Sequence, residues 1–542
     1  MKTFFEEKKD QLFLAGKYLF SILLAILAYT TIKNPFFLLV SFLELGIVIF
    51  MTNWFLKANK VVSYIFNILF IFLFNVQQMV MYFGGSYTTL VMVTNLESLE
   101  SLGGRIVPIS IGVIGLLFFT FLPVPRFSIP KLRTTSILSL FLMAELALTF
   151  LYGNAYSPLF AVYRLGLSAK EYQAQMAAIA DQPNTTAFFY KDDNKPSRDR
   201  PENLPEKPNV VLIFTEGLSQ NIIDDSRQVM PTVQALQDKS LNFENYYNHT
   251  FATYRGLIGQ LYSGYQLNNY DTNSLISIQD ILAGQGYATS FINSEPANTQ
   301  FTSYLESLNF QNVVTDAKRS DGINGSLTDK TAFELLFETI EEQAKSDQPF
   351  FTSIYTYGTH MSFDSPDKKF GDGKQSLLNR FYNFDYYFNE FLQKFEQSSL
   401  ADNTILVFTA DHATFEDSDF KAAYPDYPRA NADVDTMPLF FYYKGIQPEN
   451  INAEGRNSLS MAPTLLDYLD IDQPNYFLGQ SLFYYKENNN SFDTVFHDNA
   501  YILSTDYGVV APLSETNQET IEELLQRYFA AKTQVPQKPS SE

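Results

Sequence analysis

Five apolar runs crowd into the first 152 residues, and they constrain what this chain can fold into more than any other feature. They read as about 18–32, 35–56, 61–83, 106–124 and 135–152. Most approach the roughly 20 residues that a helix needs to cross a bilayer. The pattern predicts a five-helix membrane domain over residues 1–152. Glu44 and Glu145 fall inside runs, where a carboxylate is a functional candidate or faces the interior of a helix bundle. Lys2, Lys8, Lys9, Lys17, Lys57, Lys60, Arg126, Lys131 and Arg133 would share one side of five crossings, against Lys33 and Arg105 on the other. Basic residues stay cytoplasmic, so everything after residue 152 is expected outside the cell. No cleavable signal peptide is evident, because the first apolar run is followed at once by another.

Charge divides the chain at the same place. Residues 1–152 carry 11 Lys and Arg against 7 Asp and Glu, whereas the whole chain carries 38 against 59. The acid excess therefore belongs to residues 153–542, and such a surface does not suit nucleic acid. The chain has no cysteine. Disulfides, thiolate zinc sites, cysteine nucleophiles and iron–sulfur clusters are excluded.

Residues 153–206 read as a juxtamembrane helix followed by a proline-punctuated linker. From Asn209 onward, short β-rich apolar runs alternate with helical stretches. Asn209–Phe214, Ala288–Ile292, Pro349–Tyr357, Thr404–Phe408 and Pro438–Tyr443 read as strands. That alternation predicts an α/β domain over 207–530, with a mostly parallel sheet and helices on both faces. Residues 531–542 read as a disordered tail.

Ligands of such sheets bind beyond the carboxyl ends of the strands, so polar residues there deserve weight. The first strand runs into Glu216-Gly217. The fourth runs into Asp411-His412, an oxygen and an imidazole that one ion can share. The third runs into Tyr357-Gly358-Thr359-His360. Only four histidines exist (His249, His360, His412 and His497), and two of them follow strand ends. Each residue also has a bland reading: a capping Asp, a satisfied structural His, or an N-cap Thr where Thr253 opens the helical stretch TYRGLIGQLY. A hydroxyl at a helix start suits an oxyanion, and one bound to a metal can act as a nucleophile.

The stretches NVVLIFTEGL, MPTVQALQDKSLNFENYYNHT, THMSF, TADHA, MAPTLLDYL and LGQSLF follow five apolar runs in this order. In that arrangement the chain resembles the alkaline phosphatase/sulfatase superfamily, and within it the membrane phosphotransferases similar to lipoteichoic acid synthase. The resemblance implies one divalent ion held by Glu216, Thr253, Asp411 and His412. It implies Thr253 as nucleophile, with Thr250 as the alternative one turn away. His360 becomes a catalytic residue on the substrate side, and Arg255 is expected to bind substrate with it. Three oxygens and one nitrogen suit Mn2+ or Zn2+, with Mg2+ as a further alternative, and the resemblance favours Mn2+. The implied reaction moves a phospho-alcohol group, such as glycerol phosphate, from a membrane phospholipid to a cell-surface glycan or glycolipid. Phosphoethanolamine transfer and simple phosphodiester hydrolysis are alternatives at the same site, and a non-catalytic scaffold is a third. The sequence departs from the resemblance after Ile292, where the substrate-pocket Trp and Arg are missing. The single Trp is Trp54, in an apolar run.

Overall fold

The computed structural model describes residues 2–94, 106–124, 130–192, 197, 200–268, 272–361, 363–431, 434–484, 493–497, 500–505 and 509–538. The chain divides into two compact units, Met1–Ala174 and Gln175–Glu542.

The first unit is helical. Pro35–Leu56, Lys60–Phe83 and Leu132–Tyr152 are long and apolar enough to cross a membrane, while Gly16–Ile32 and Ile109–Thr120 are shorter apolar helices. Five spans were expected, so two fall short of the length criterion. The fourth run, expected over 106–124, stops at Thr120, close before Pro123, which cannot continue a helix. The first helix runs from Lys2 to Ile32 but begins in a charged stretch. Glu44 is buried. It accepts hydrogen bonds from Ser157 Oγ and, at 3.0 Å, from the Leu159 backbone amide. Glu44 thus satisfies the amino end of the next helix, Pro158–Ala180.

The second unit is built on an eight-stranded sheet in the order β4-β3-β5-β1-β6-β7-β2-β8. Its strands are β1 (Asn209–Thr215), β2 (Leu241–Glu244), β3 (Ala288–Ile292), β4 (Asn312–Val314), β5 (Phe350–Thr356), β6 (Thr404–Ala410), β7 (Leu439–Tyr442) and β8 (Glu449–Asn452). Only β7 runs against its neighbours β6 and β2. The central strands β1, β5 and β6 are buried along their whole lengths, as strands covered on both faces must be. The long helix Ser376–Gln397 explains part of that cover. It buries Leu377, Phe381, Phe384, Phe388, Phe391 and Phe395 at helical spacing. Strands β1, β5 and β6 are mutually parallel, with Thr215 level with both Thr356 and Ala410. Their carboxyl ends therefore open on one edge of the sheet.

The segment after Gln182, which reads as a linker in the sequence, carries some regular structure. It forms a short helix, Thr186–Phe189, and Lys191 exchanges backbone hydrogen bonds with Asn475 at 2.9 and 3.1 Å. The tail expected to be disordered is tied to this segment, as far as Lys538. Gln534 Nε2 donates to the Pro183 carbonyl at 2.9 Å, and the Gln537 amide donates to Thr186 Oγ1 at 2.9 Å. Polar side chains there satisfy backbone groups that solvent would otherwise take. Residues 539–542 lie outside the described residues.

Candidate metal centre and active site

Each candidate ligand owes its position to a strand end. Glu216 follows β1, and Gly217 then turns the backbone with φ +54°, a conformation that suits glycine. Asp411 and His412 follow β6, and all three side chains are buried. Asp411 Oδ1 accepts from the Gly217 and His412 amides, both at 2.8 Å, which leaves Oδ2 with no hydrogen-bond partner. His412 Nδ1 lies 2.7 Å from the Ala413 carbonyl, so that nitrogen carries the proton and donates it. Nε2 then points its lone pair away from the backbone, 3.4 Å from Glu216 Oε1 and 3.5 Å from Asp411 Oδ2. Those separations are long for hydrogen bonds. Ligand atoms of Glu216, Asp411 and His412 all lie within 4.8 Å of one another. Buried oxygens and an imidazole nitrogen converging without partners fit a divalent cation.

The electrostatics agree with a site built for a cation. Burial and the Glu216 charge push the Asp411 carboxyl up to about 7. Burial works against the charged form of His412, but the Asp411 and Glu216 carboxylates outweigh it and raise the imidazole to about 9. Burial also opposes ionisation of Glu216, yet the His412 charge wins and holds it below the usual carboxylate range.

Thr253 opens the helix Thr253–Tyr262, directly after Ala252 at φ +81°. A left-handed backbone at a residue other than glycine is strained, and such strain gathers at functional sites. Thr253 Oγ1 donates to Glu216 Oε2 at 3.0 Å. The helix reaches this place because Gly256 lacks a side chain: a Cβ there would lie 2.2 Å from the Asp411 carbonyl oxygen. Gln260 Nε2 ties the same helix to the end of β6 by donating to the Ala410 carbonyl at 2.8 Å.

His360 follows β5 and is partly exposed. Its ring packs in a cluster with Tyr357 and Phe363, whose centroids lie 4.9 and 5.6 Å from it and 5.5 Å from each other. Its Nδ1 lies 2.7 Å from the Met361 carbonyl, so Nε2 is the free position. Burial lowers the His360 pKa and favours the neutral ring. Arg255 is buried beside His249, whose imidazole pKa burial lowers to about 3. A pocket opens at Glu216 and is lined by Thr359, Thr414, Phe415, Arg380 and Asp417 among others. Thr253, Asp411, His412, His360 and Arg255 are not among its lining residues.

The fold therefore brings Glu216, Thr253, Asp411 and His412 together, with His360 close enough for its pKa to feel the Glu216 charge. Thr250 is buried three residues before Thr253. Three further residues escaped sequence reasoning. Tyr355 OH donates to Glu216 Oε2 from within β5. Arg429 clamps the two ligand-bearing loops, donating to Thr414 O at 2.7 Å, Ser219 Oγ at 2.9 Å and Asp435 Oδ2 at 2.6 Å. Arg380 lines the pocket, and its signal was present: it sits on the apolar stripe of its helix, three residues after Leu377 and four before Phe384.

Comparison with known proteins agrees with this architecture. The sulfatase family model matches residues 208–471. The lipoteichoic acid synthase-like protein YvgJ of Bacillus subtilis is 22% identical over 332 residues, covering 54% of this chain and 53% of that protein. Phosphoglycerol transferase I of Escherichia fergusonii is 24% identical over 338 residues, covering 54% of this chain and 40% of that protein. The chain thus spans about half or less of the length of these curated relatives. The lipooligosaccharide phosphoethanolamine transferase A (EptA) of Neisseria meningitidis, an integral membrane protein, superposes with a TM-score of 0.50 at 14% identity. That match covers 85% of this chain and 96% of EptA and establishes a shared fold.

Proposed function

Since residues 208–471 are a sulfatase domain of the alkaline phosphatase/sulfatase superfamily, we propose that this protein is a metal-dependent phosphotransferase anchored in the cell membrane, acting through a phospho-threonine at Thr253. The donor is a membrane phospholipid, and the acceptor is a hydroxyl of a cell-surface glycan or glycolipid. The transferred group is glycerol phosphate or a close relative, in keeping with the name of the Escherichia fergusonii relative. The observation that carries this reading is Thr253 Oγ1 at 3.0 Å from Glu216 Oε2, beside the partnerless Asp411 Oδ2 and His412 Nε2.

Glu216, Asp411 and His412, with Thr253, would hold one divalent ion, and Mn2+ is favoured. When bound, the ion supplies positive charge that acidifies the Thr253 hydroxyl and stabilises charge on the phosphoryl oxygens. Glu216 Oε2 orients the hydroxyl that it already accepts from. Glu216 Oε2 takes the Thr253 proton as Oγ attacks phosphorus and the bond to the lipid oxygen breaks, leaving a phospho-threonine diester. The protonated form of His360 gives its Nε2 proton to the departing lipid oxygen. An acceptor hydroxyl then attacks the same phosphorus and passes its proton to the His360 ring, while Thr253 leaves and takes its proton back from Glu216. Water as acceptor would make the same site a phosphodiesterase.

Residues 1–152 form the anchor in this reading, 153–206 lead from it, and 207–530 form the catalytic domain on the extracellular side. The nine-to-two distribution of basic residues supports that orientation. A reporter fused to the C-terminus should be active only outside the cytoplasm. Purified protein with labelled phosphatidylglycerol and a glycolipid acceptor should release diacylglycerol and label the acceptor. Labelled glycerol phosphate in solution, with no labelled acceptor, would turn the reading to a hydrolase.

A further inference from the structure

We propose that Arg380 binds a non-bridging phosphate oxygen of the substrate in the pocket beside Glu216, an inference that rests on the phosphotransferase reading above. Glu216 and Arg380 line the same small pocket, so an anion that enters it beside Glu216 meets this guanidinium. The Arg380 side chain is only 2% exposed. A buried guanidinium is costly unless its charge and its five N–H groups find partners.

Two other arginines with buried side chains, Arg429 and Arg456, are spent on the protein itself. Arg429 is engaged by Asp435, Ser219 and the Thr414 carbonyl. Arg456 donates to the carbonyls of Ala453, Ser481, Leu482 and Tyr484 at 3.0–3.2 Å. Arg380 is different. Nη1 donates to the Phe363 carbonyl at 2.8 Å, and Nε has no partner among the described residues. Its nearest carboxylate oxygen, Asp419 Oδ2, is 3.5 Å away and already accepts from Ser376 Oγ at 2.6 Å. Asp417, on the same pocket wall, is engaged in capping the following helix by accepting from the Phe420 amide at 2.9 Å. The guanidinium fork therefore keeps donor capacity, and a phosphate oxygen matches its planar geometry. This assigns to Arg380 the contact that the sequence pattern had suggested for Arg255.

The test uses the full chain in detergent, loaded with Mn2+. Inorganic phosphate is titrated by calorimetry, and KM and kcat are measured for dihexanoyl phosphatidylglycerol as a soluble phosphodiester. Metal content and melting temperature are recorded alongside. Arg380→Met should keep the metal, weaken phosphate binding and raise KM for the diester roughly 10–100-fold, the scale of a lost charge-assisted hydrogen bond. Arg380→Lys keeps the charge without the fork and should lose less; it carries the test if the Met variant does not fold. Unchanged KM for the diester overturns the proposal, and so does a loss confined to inorganic phosphate. Wild-type protein that turns over no phosphodiester, or holds no metal, refutes the phosphotransferase reading itself, a result separable from any behaviour of Arg380.

Discussion

Tyr355 donates its phenolic hydrogen to Glu216 Oε2, the oxygen that Thr253 Oγ1 also reaches. One carboxylate oxygen thus takes both hydroxyls, and the other, Oε1, faces His412 Nε2. The phenol holds the carboxylate plane so that Oε1 stays turned toward the other two ligands. Tyr355→Phe removes only that hydrogen bond from a buried ring. Metal affinity should fall about 10–100-fold, as it does when a ligand's supporting hydrogen bond is lost. Calorimetric Mn2+ titration checks this, and an unchanged affinity would show that Glu216 needs no such support.

Gly256 is where the Thr253 helix passes the end of β6. A methyl group at this position would lie 2.2 Å from the backbone oxygen of Asp411 and could be accommodated only by moving helix or strand. Gly256→Ala should cost about 1–3 kcal/mol by overpacking and displace Thr253 from Glu216. At Gly166, nothing lies within 4 Å of an added Cβ, so Gly166→Ala serves as the control. Melting temperature and metal content should both drop for the first variant and hold for the second.

Asp329 lies under the His360 loop. Its carboxylate accepts from Asn383 Nδ2 at 2.8 Å, and a Cβ on Gly358 would collide with it. Burial raises its pKa from 3.8 to about 7. The folded protein therefore binds this proton more tightly than the unfolded chain does. Its contribution to stability is full below pH about 4 and is lost as pH rises through 7. Asp329→Asn carries no such proton. Between pH 5 and 8 the wild type should lose more melting temperature than the variant, and parallel slopes would exclude ionisation at Asp329.

Much of this architecture is legible in the sequence because burial on both faces leaves a plain mark. Strands β1 and β6 carry continuous apolar runs, VVLIF and ILVF, and the candidate metal ligands follow soon after those runs stop. Strand β4 left no such mark because it is only three residues long, and β8 left none because its residues are largely exposed and polar. Tyr355 was hidden for the opposite reason: inside PFFTSIYTY it looks like any β-forming aromatic, and only the sheet register brings it level with Phe214, two residues before Glu216. Arg380 carried a readable signal, a charge on an apolar helical stripe, but its pocket exists only once distant loops meet. Of the five expected spans, three fall on helices long and apolar enough to cross a membrane, and the other two fall on shorter apolar helices.

Asp411→Ala tests the cation site without reference to turnover. It removes the carboxylate whose Oδ1 holds the Gly217 and His412 amides and whose Oδ2 faces His412. Bound metal, measured by plasma mass spectrometry after dialysis, should fall from one equivalent toward none. A full equivalent in the variant would move the ion elsewhere.

The central claim is that Thr253 carries the phosphoryl group, and acid-quenched mass spectrometry of the protein tests it most directly. Full-length protein is mixed with Mn2+ and phosphatidylglycerol without acceptor, quenched, digested and sequenced. The account expects a phosphoglycerol adduct on Thr253, absent from Thr253→Ala, with that variant unable to release diacylglycerol. Diacylglycerol release by Thr253→Ala at the wild-type rate, or an adduct on Thr250 instead, would contradict it.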